Sequence, residues 1–165
     1  MQILEKLKER WHDIDYPFLI HSTGVLRFSE ITKQKSVDLS EVKSGDVVAL
    51  IGDFDPQSIL TLLQLIDKDV ILVPLTVDTR FQHEYFFEAA LVDVVIDGDE
   101  VKRINHRLKH EFIDSLRSKE HAGLVLFSTG TTGRPKAVLH DLTLFMQRFE
   151  TPRPTLKTIN FLLFD

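Results

Sequence analysis

With 165 residues, an apolar fraction of 43% and a charged fraction of 27%, the chain is long enough for one domain with a sizeable core and has an ordinary globular composition. Its net charge of −5 argues against a general nucleic-acid binder, because phosphate backbones reward basic faces. The absence of cysteine excludes disulfide scaffolds, thiolate metal sites and cysteine nucleophiles.

The N-terminus, MQILEKLKERWHDIDYPF, carries charges throughout and lacks the apolar centre of a signal peptide. No window approaches the roughly 18 apolar residues of a membrane span, so a cytoplasmic protein without a membrane segment is expected. Ile3, Leu4, Leu7 and Trp11 recur at helical intervals and predict an amphipathic helix over 2–11. FLIHSTGVLRFSEI places two short apolar runs around Ser22-Thr23-Gly24, a hairpin signal. The polar stretch KQKSVDLSEVKSG reads as a helical turn and a loop ending at Gly45.

From Asp46 the pattern sharpens. VVALIG is a continuous run rich in β-branched residues, as in a strand buried on both faces. Asp55 suits a helix N-cap with Pro56 at the first helical position. Ile59, Leu62, Leu63 and Ile66 then follow at i, i+3, i+4 and i+7, broadened by Leu60 and Leu65, before a second buried run, VILVPLT. Strand, helix and strand with short joints make a βαβ unit, with a parallel sheet and a right-handed crossover. RFQHEYFFEAAL reads as a helix, VDVVIDGDE as a strand ending in a turn, and HRLKHEFIDSLRS as a helix. LVLFST and AVLH read as strands, DLTLFMQRF as a helix and TINFLLFD as a final strand. The predicted fold is one α/β domain over 1–165 with a mainly parallel sheet flanked by helices.

Between the strands LVLFST and AVLH lies Ser128-Thr129-Gly130-Thr131-Thr132-Gly133, followed by Arg134, Pro135 and Lys136. Glycines free the backbone to take positive φ, so that successive N–H groups form an anion-binding nest. The hydroxyls of Ser128, Thr129, Thr131 and Thr132 add donors without bulk, and Lys136 adds a mobile charge with a long reach. Ligands of open α/β sheets sit beyond the carboxyl ends of strands, where this loop belongs. It is not a Walker A loop, because Gly133 is followed by Arg134 and Lys136 by Ala137. Nor does it hold the three spaced glycines of a dinucleotide site. By composition alone, a plain surface turn is an equal alternative.

FSTGTTGRPKAV resembles the phosphate-binding signature of the adenylate-forming enzymes, which include acyl-CoA synthetases, luciferases and the adenylation domains of peptide synthetases. That family leads a strand into Ser/Thr–Ser/Thr/Gly–Gly–Ser/Thr–Ser/Thr–Gly–x–Pro–Lys–Gly, and Ser128 to Lys136 fits it position by position. Ala137 departs from the usual glycine, and Asp141 follows His140 where many relatives read Ser-His-Arg. SGDVVALIGDFDPQSILTLLQLIDKDVILVPLT looks like the family's opening strand, helix and strand, and FLIHSTGVLRFSEI is similar to its N-terminal hairpin. The resemblance implies a ligase that uses ATP with Mg²⁺ to convert a carboxylic acid to an acyl-adenylate. The acyl group then passes to a thiol, such as that of coenzyme A, or to an amine. Ser128, Thr129, Gly130, Thr131, Thr132, Gly133 and Lys136 would hold the β- and γ-phosphates. His140, after the loop's second strand, is a further candidate, or only the end of that strand.

Members of the family are several-fold longer. The resemblance places after this stretch an aromatic-His segment, an adenine-side Tyr-Gly-x-Thr-Glu motif, a ribose-binding aspartate, a hinge and a mobile C-terminal domain carrying a lysine that acts on the carboxylate. The expectation is an incomplete AMP-binding N-terminal domain without a catalytic residue of its own, inactive alone. The sheet face around Phe161–Phe164 would be left uncovered, which favours self-association. The alternatives are a stand-alone nucleotide- or phosphate-binding module and a non-catalytic interaction subunit.

Other clusters read as structural. His106 and His110 have a metal-compatible helical spacing, but Arg107 and Lys109 between them disfavour a cation, so no metal site is expected. Tyr85, Phe86 and Phe87 read as core packing rather than a base-stacking platform. The pairs Asp53/Asp55 and Asp97/Asp99 flank strand ends, where aspartate caps helices and shapes turns.

Overall fold

The computed structural model describes residues 2–21, 24–53, 55–104, 109–128 and 133–149. Helix α1 (Ile3–Trp11) is followed by an antiparallel hairpin of β1 (Leu19–His21) and β2 (Gly24–Leu26), then by the short α2 (Phe28–Ile31). The main sheet starts at β3 (Val47–Ile51), and α3 (Pro56–Asp67) carries the chain to β4 (Ile71–Leu75). A 3₁₀ segment (Val77–Gln82) runs into α4 (His83–Ala90), followed by β5 (Val94–Asp97), β6 (Glu100–Arg103) and α5 (Glu111–Ser118). Strands β7 (Gly123–Ser128) and β8 (Lys136–Asp141) and helix α6 (Leu142–Gln147) complete the described chain.

The six strands of the main sheet lie in the order β6-β5-β3-β4-β7-β8. Strand β3 is parallel to both β4 and β5, and β4 is parallel to β7. The two outer pairings, β5 with β6 and β7 with β8, are antiparallel. The sheet is thus mainly parallel at its centre, as expected, and closed on each side by a hairpin.

Helices cover both faces. Val48 and Leu50 pack with Leu65 and Ile66 of α3, while Val47, Ala49 and Ile51 pack with Phe86 and Ala90 of α4 and Ile113 and Leu116 of α5. All five residues of β3 are buried, which is why its sequence shows no polar alternation. Asp55 caps α3 as expected: its carboxylate accepts the Ser58 amide at 2.9 Å, and Pro56 opens the helix.

Hydrogen-bonded ion pairs fasten the amino ends of the strands. Arg117 reaches Asp93 at 2.7 Å and the Gly45 carbonyl at 2.8 Å, while Asp93 accepts the Val47 amide at 2.9 Å. Arg103 contacts Asp46 and the Glu41 carbonyl, both at 2.6 Å.

Three features differ from the sequence reading. The sequence reading ends its strand in a turn at Glu100 and assigns no element to 101–103, where the structure has strand β6. It pairs with β5 through Asp97↔Glu100, and Gly98 supplies the positive φ of +58° that this reversal requires. The region read as one helix from 80 is a 3₁₀ segment followed by α4. Helix α5 starts at Glu111, with His110 as its N-cap, accepting the Phe112 amide at 3.3 Å. His110 is therefore outside the helix, and its expected partner His106 lies outside the described residues, as does the predicted strand TINFLLFD with Phe161–Phe164.

Replacing Asp55 by Ala removes the α3 cap and is expected to cost about 1 kcal/mol in urea unfolding, with an unchanged denaturant slope. Asp55→Asn retains most of that stability, because asparagine caps as well as aspartate.

Candidate functional site

The site is organised by the β7–β8 hairpin. Strand β7 is in register with β4 only at Ile71↔Gly123 and Leu72↔Leu124, whereas its pairing with β8 runs on to Ser128↔Lys136. The hairpin therefore leaves the sheet after Leu124 and carries its loop past the point where the β4–β7 ladder stops. Because β7 is parallel to β4, which is parallel to β3, the loop emerges at the carboxyl end of the sheet, where α/β folds bind ligands.

Ser128 and Lys136 face each other at the neck of that loop, and both are exposed. Gly133 and Arg134 are exposed beside them. Among the described residues, a Cβ placed on Gly133 would meet nothing within 4 Å. Gly133 is not among the positive-φ residues, so the expected use of glycine for a left-handed backbone does not apply at this position. Thr129, Gly130, Thr131 and Thr132 lie outside the described residues. His140 sits four residues beyond Lys136 on β8, opposite Leu124, roughly 13 Å along the strand from the neck. The structure thus brings Ser128, Gly133 and Lys136 to one place and sets His140 apart.

Helix α4 holds both limbs of the hairpin. The Phe86 ring stacks on Phe127, just before the neck, with centroids 4.2 Å apart. Phe86 is buried, in line with the core reading of the aromatic run. Tyr85 is only half-buried and does something that reading missed. Its hydroxyl donates to the Pro135 carbonyl at 2.6 Å, and the Arg134 guanidinium lies over its ring at 5.4 Å from the centroid. Nothing in the spacing of residues 80–91 signals a contact with a backbone carbonyl 50 positions away.

The first residue of α4 is anchored in turn. His83 is buried, with Nε2 at 3.1 Å from the Thr76 carbonyl and 3.2 Å from the Thr79 hydroxyl. A carbonyl only accepts, so Nε2 carries the proton and donates. Burial pushes the imidazole below its ordinary pKa and nearby Arg80 adds to this, against opposing contributions from the Thr76 hydrogen bond and Asp97. Arg80 itself forms two hydrogen bonds to Asp97, at 2.6 and 2.9 Å, which hold that carboxylate below its usual range. At the hairpin's other end Asp141 accepts the Leu144 amide at 2.9 Å and contacts His121 at 2.8 Å. Burial would raise the Asp141 pKa, but these bonds hold it below the ordinary value.

Among the described residues, no group of three or more His, Cys, Asp or Glu side chains is arranged to hold a metal ion, and no helix is long and apolar enough to cross a membrane. Three of the aspartates that flank strand ends have structural partners: Asp55 caps α3, Asp97 pairs with Arg80, and Asp99 bonds Lys35 and Gln57.

No protein-family model matches the sequence, and no curated protein does. Solved structures do match. The N-terminal subdomain of NpsA from Klebsiella oxytoca, in complex with 3-hydroxyanthranilyl-AMSN, aligns with a TM-score of 0.58 at 20% identity, over 83% of this chain and 39% of that one. VinN in complex with L-aspartate aligns with a TM-score of 0.57 at 16% identity, over 86% of this chain and 47% of that one. NpsA also occurs in an artificially fused adenylation–PCP di-domain, which aligns with a TM-score of 0.53 at 21% identity. The chain shares its fold with part of each of these structures. The chain spans less than half the length of these solved structures. Ser128 and Lys136, which flank the loop that the sequence motif singled out, lie on the carboxyl side of the sheet.

The neutral state of His83 gives the fold a pH dependence. As pH falls through roughly 6.5 the unfolded chain takes up a proton on this residue, while the folded chain resists until lower pH. The unfolded state then binds more protons and is favoured. The urea midpoint is expected to fall between pH 7.5 and the depressed folded pKa, and His83→Gln to flatten that part of the profile. Superimposable profiles for the two proteins would contradict the assignment.

Proposed function

We propose that the chain is the nucleotide-phosphate-gripping part of an adenylate-forming ligase, with Ser128, Thr129, Gly130, Thr131, Thr132, Gly133 and Lys136 directed at the β- and γ-phosphates of ATP. The observation that carries this reading is the pairing of exposed Ser128 with exposed Lys136 on the carboxyl side of the parallel strands, in a fold shared with the N-terminal subdomain of NpsA. The site's chemistry fits an anion. Lys136 presents an ammonium group on an exposed stem, Ser128 a hydroxyl, and Gly133 leaves room for close approach.

In the reaction this reading implies, a carboxylate attacks the α-phosphorus of ATP, the bond from that phosphorus to the bridging oxygen breaks, and pyrophosphate leaves. Charge builds on the leaving group, and donors placed in advance where it builds lower the barrier. Ser128 and Lys136 would act on the pyrophosphate side. Mg²⁺, bound with the nucleotide, would neutralise phosphate charge. The acyl group, and its acceptor (coenzyme A, another thiol or an amine), would be handled elsewhere in the complete enzyme. NpsA is solved with aryl-AMSN compounds and VinN with L-aspartate, which makes a carboxylic acid the expected substrate class.

Calorimetry of the whole 165-residue chain with Mg·ATP tests the reading. Wild type is expected to bind, and Lys136→Ala to bind about tenfold or more weakly, the usual worth of a hydrogen bond to a charged group. Equal binding by the two proteins would remove Lys136 from the site. A second expectation is that the chain alone catalyses no ATP–pyrophosphate exchange with any carboxylate. Exchange by the pure chain would show that it carries the full catalytic set.

A further inference from the structure

The geometry points to Tyr85 as a positioning residue for the phosphate grip, an assignment that rests on the functional reading above. Lys136 has an exposed, flexible side chain, so its reach is set by where its backbone leaves the loop. The residue just before it, Pro135, is held through its carbonyl by the Tyr85 hydroxyl at 2.6 Å, the O···O separation of a strong hydrogen bond. The residue before that, Arg134, lies over the same ring at 5.4 Å, within the range of a cation–π contact. One side chain therefore engages two consecutive residues immediately ahead of Lys136.

The neighbouring residue of α4 makes this a fixed point rather than a passing contact. Phe86 is buried and stacks on Phe127, the residue before Ser128 on the opposite limb. Two adjacent residues of one helix thus grip the two limbs of one hairpin, on either side of the Ser128↔Lys136 neck. Phe86 faces the core, and α4 is anchored at its start by His83. The rigid body of the sheet and α4 extends through Tyr85 to the backbone from which Lys136 projects. Tyr85 touches no phosphate; it acts through Pro135.

The Arg134 contact has a second consequence. Arg134 is exposed, and stacking over Tyr85 draws its charge toward the ring instead of leaving it free over the loop mouth. Tyr85 thereby separates the roles of two neighbouring cations: Arg134 is parked, and Lys136 is presented.

The test compares wild type, Tyr85→Phe, Tyr85→Ala and Lys136→Ala in two measurements. One is amide hydrogen exchange of the ligand-free chain over residues 133–139. The other is the affinity for inorganic pyrophosphate with Mg²⁺. Tyr85→Phe keeps the ring and removes the hydroxyl. It is expected to leave the melting temperature nearly unchanged, to speed exchange over 133–139 and not in β3 or β4, and to weaken pyrophosphate binding roughly two- to tenfold. Tyr85→Ala, which also releases Arg134, is expected to weaken it further. Unchanged exchange in Tyr85→Phe overturns the proposal. So does unchanged affinity in that variant while Lys136→Ala loses binding. A Lys136→Ala protein indistinguishable from wild type would sink the phosphate reading instead, and the exchange data would still decide whether Tyr85 holds the limb.

Discussion

Strand β3 is paired on both edges and covered on both faces, and the rest of the molecule is arranged around that constraint. A strand with neighbours on each side needs crossovers running in opposite directions, from β3 to β4 and from β4 back past β3 to β5. With right-handed connections, α3 and α4 must then lie on opposite faces, as the two core clusters show. The loops leaving the carboxyl ends of β3 and β4 diverge as a result, and ligands of α/β sheets bind where such loops part. The loop between β7 and β8 leaves from the same carboxyl end, next to β4 in the sheet.

The core also reaches the site mechanically. Helix α4 is the element that covers one face of β3 and holds the β7–β8 hairpin as well. Phe86 serves both purposes, packing among Ala49, Ile51 and Val73 while stacking on Phe127. Beyond Leu124 the hairpin has no register partner on β4, so α4 replaces the missing strand as its support. Leu126 and Val138, paired across the hairpin, remain exposed on its other face. A binding loop at the tip of such a hairpin keeps its geometry only as well as α4 keeps its place. His83, neutral and donating to Thr76, fixes that place at the helix N-terminus, where a positive charge would oppose the helix dipole.

The central βαβ unit was legible because continuous apolar runs and a helical period are strong signals over five to twelve residues. Asp55-Pro56 announced the start of α3 for a chemical reason that tertiary structure did not override. The loop at Ser128–Lys136 was legible from its residue types and from a motif whose order is specific. Strand β6 was not, because Glu100–Arg103 is short, charged and on an edge, where only one partner strand and little burial select its residues. The hairpin relation of β7 to β8 was also hidden, since two apolar runs separated by a loop do not state their direction. Least legible was Tyr85. Its amphipathic spacing declares a core residue, which is half true, and its hydroxyl's partner is a backbone carbonyl that any sequence would supply.

The claim that the loop and Lys136 grip the pyrophosphate end of a nucleotide is tested most directly by mapping where that anion sits. An ¹⁵N-labelled full chain titrated with Mg²⁺ and inorganic pyrophosphate should show amide shifts concentrated between Ser128 and Lys136, with smaller ones at Tyr85 and Phe86, and none at the Arg103 and Arg117 clusters on the amino side of the sheet. Shifts centred on those arginines, or no shifts at millimolar pyrophosphate, would contradict it.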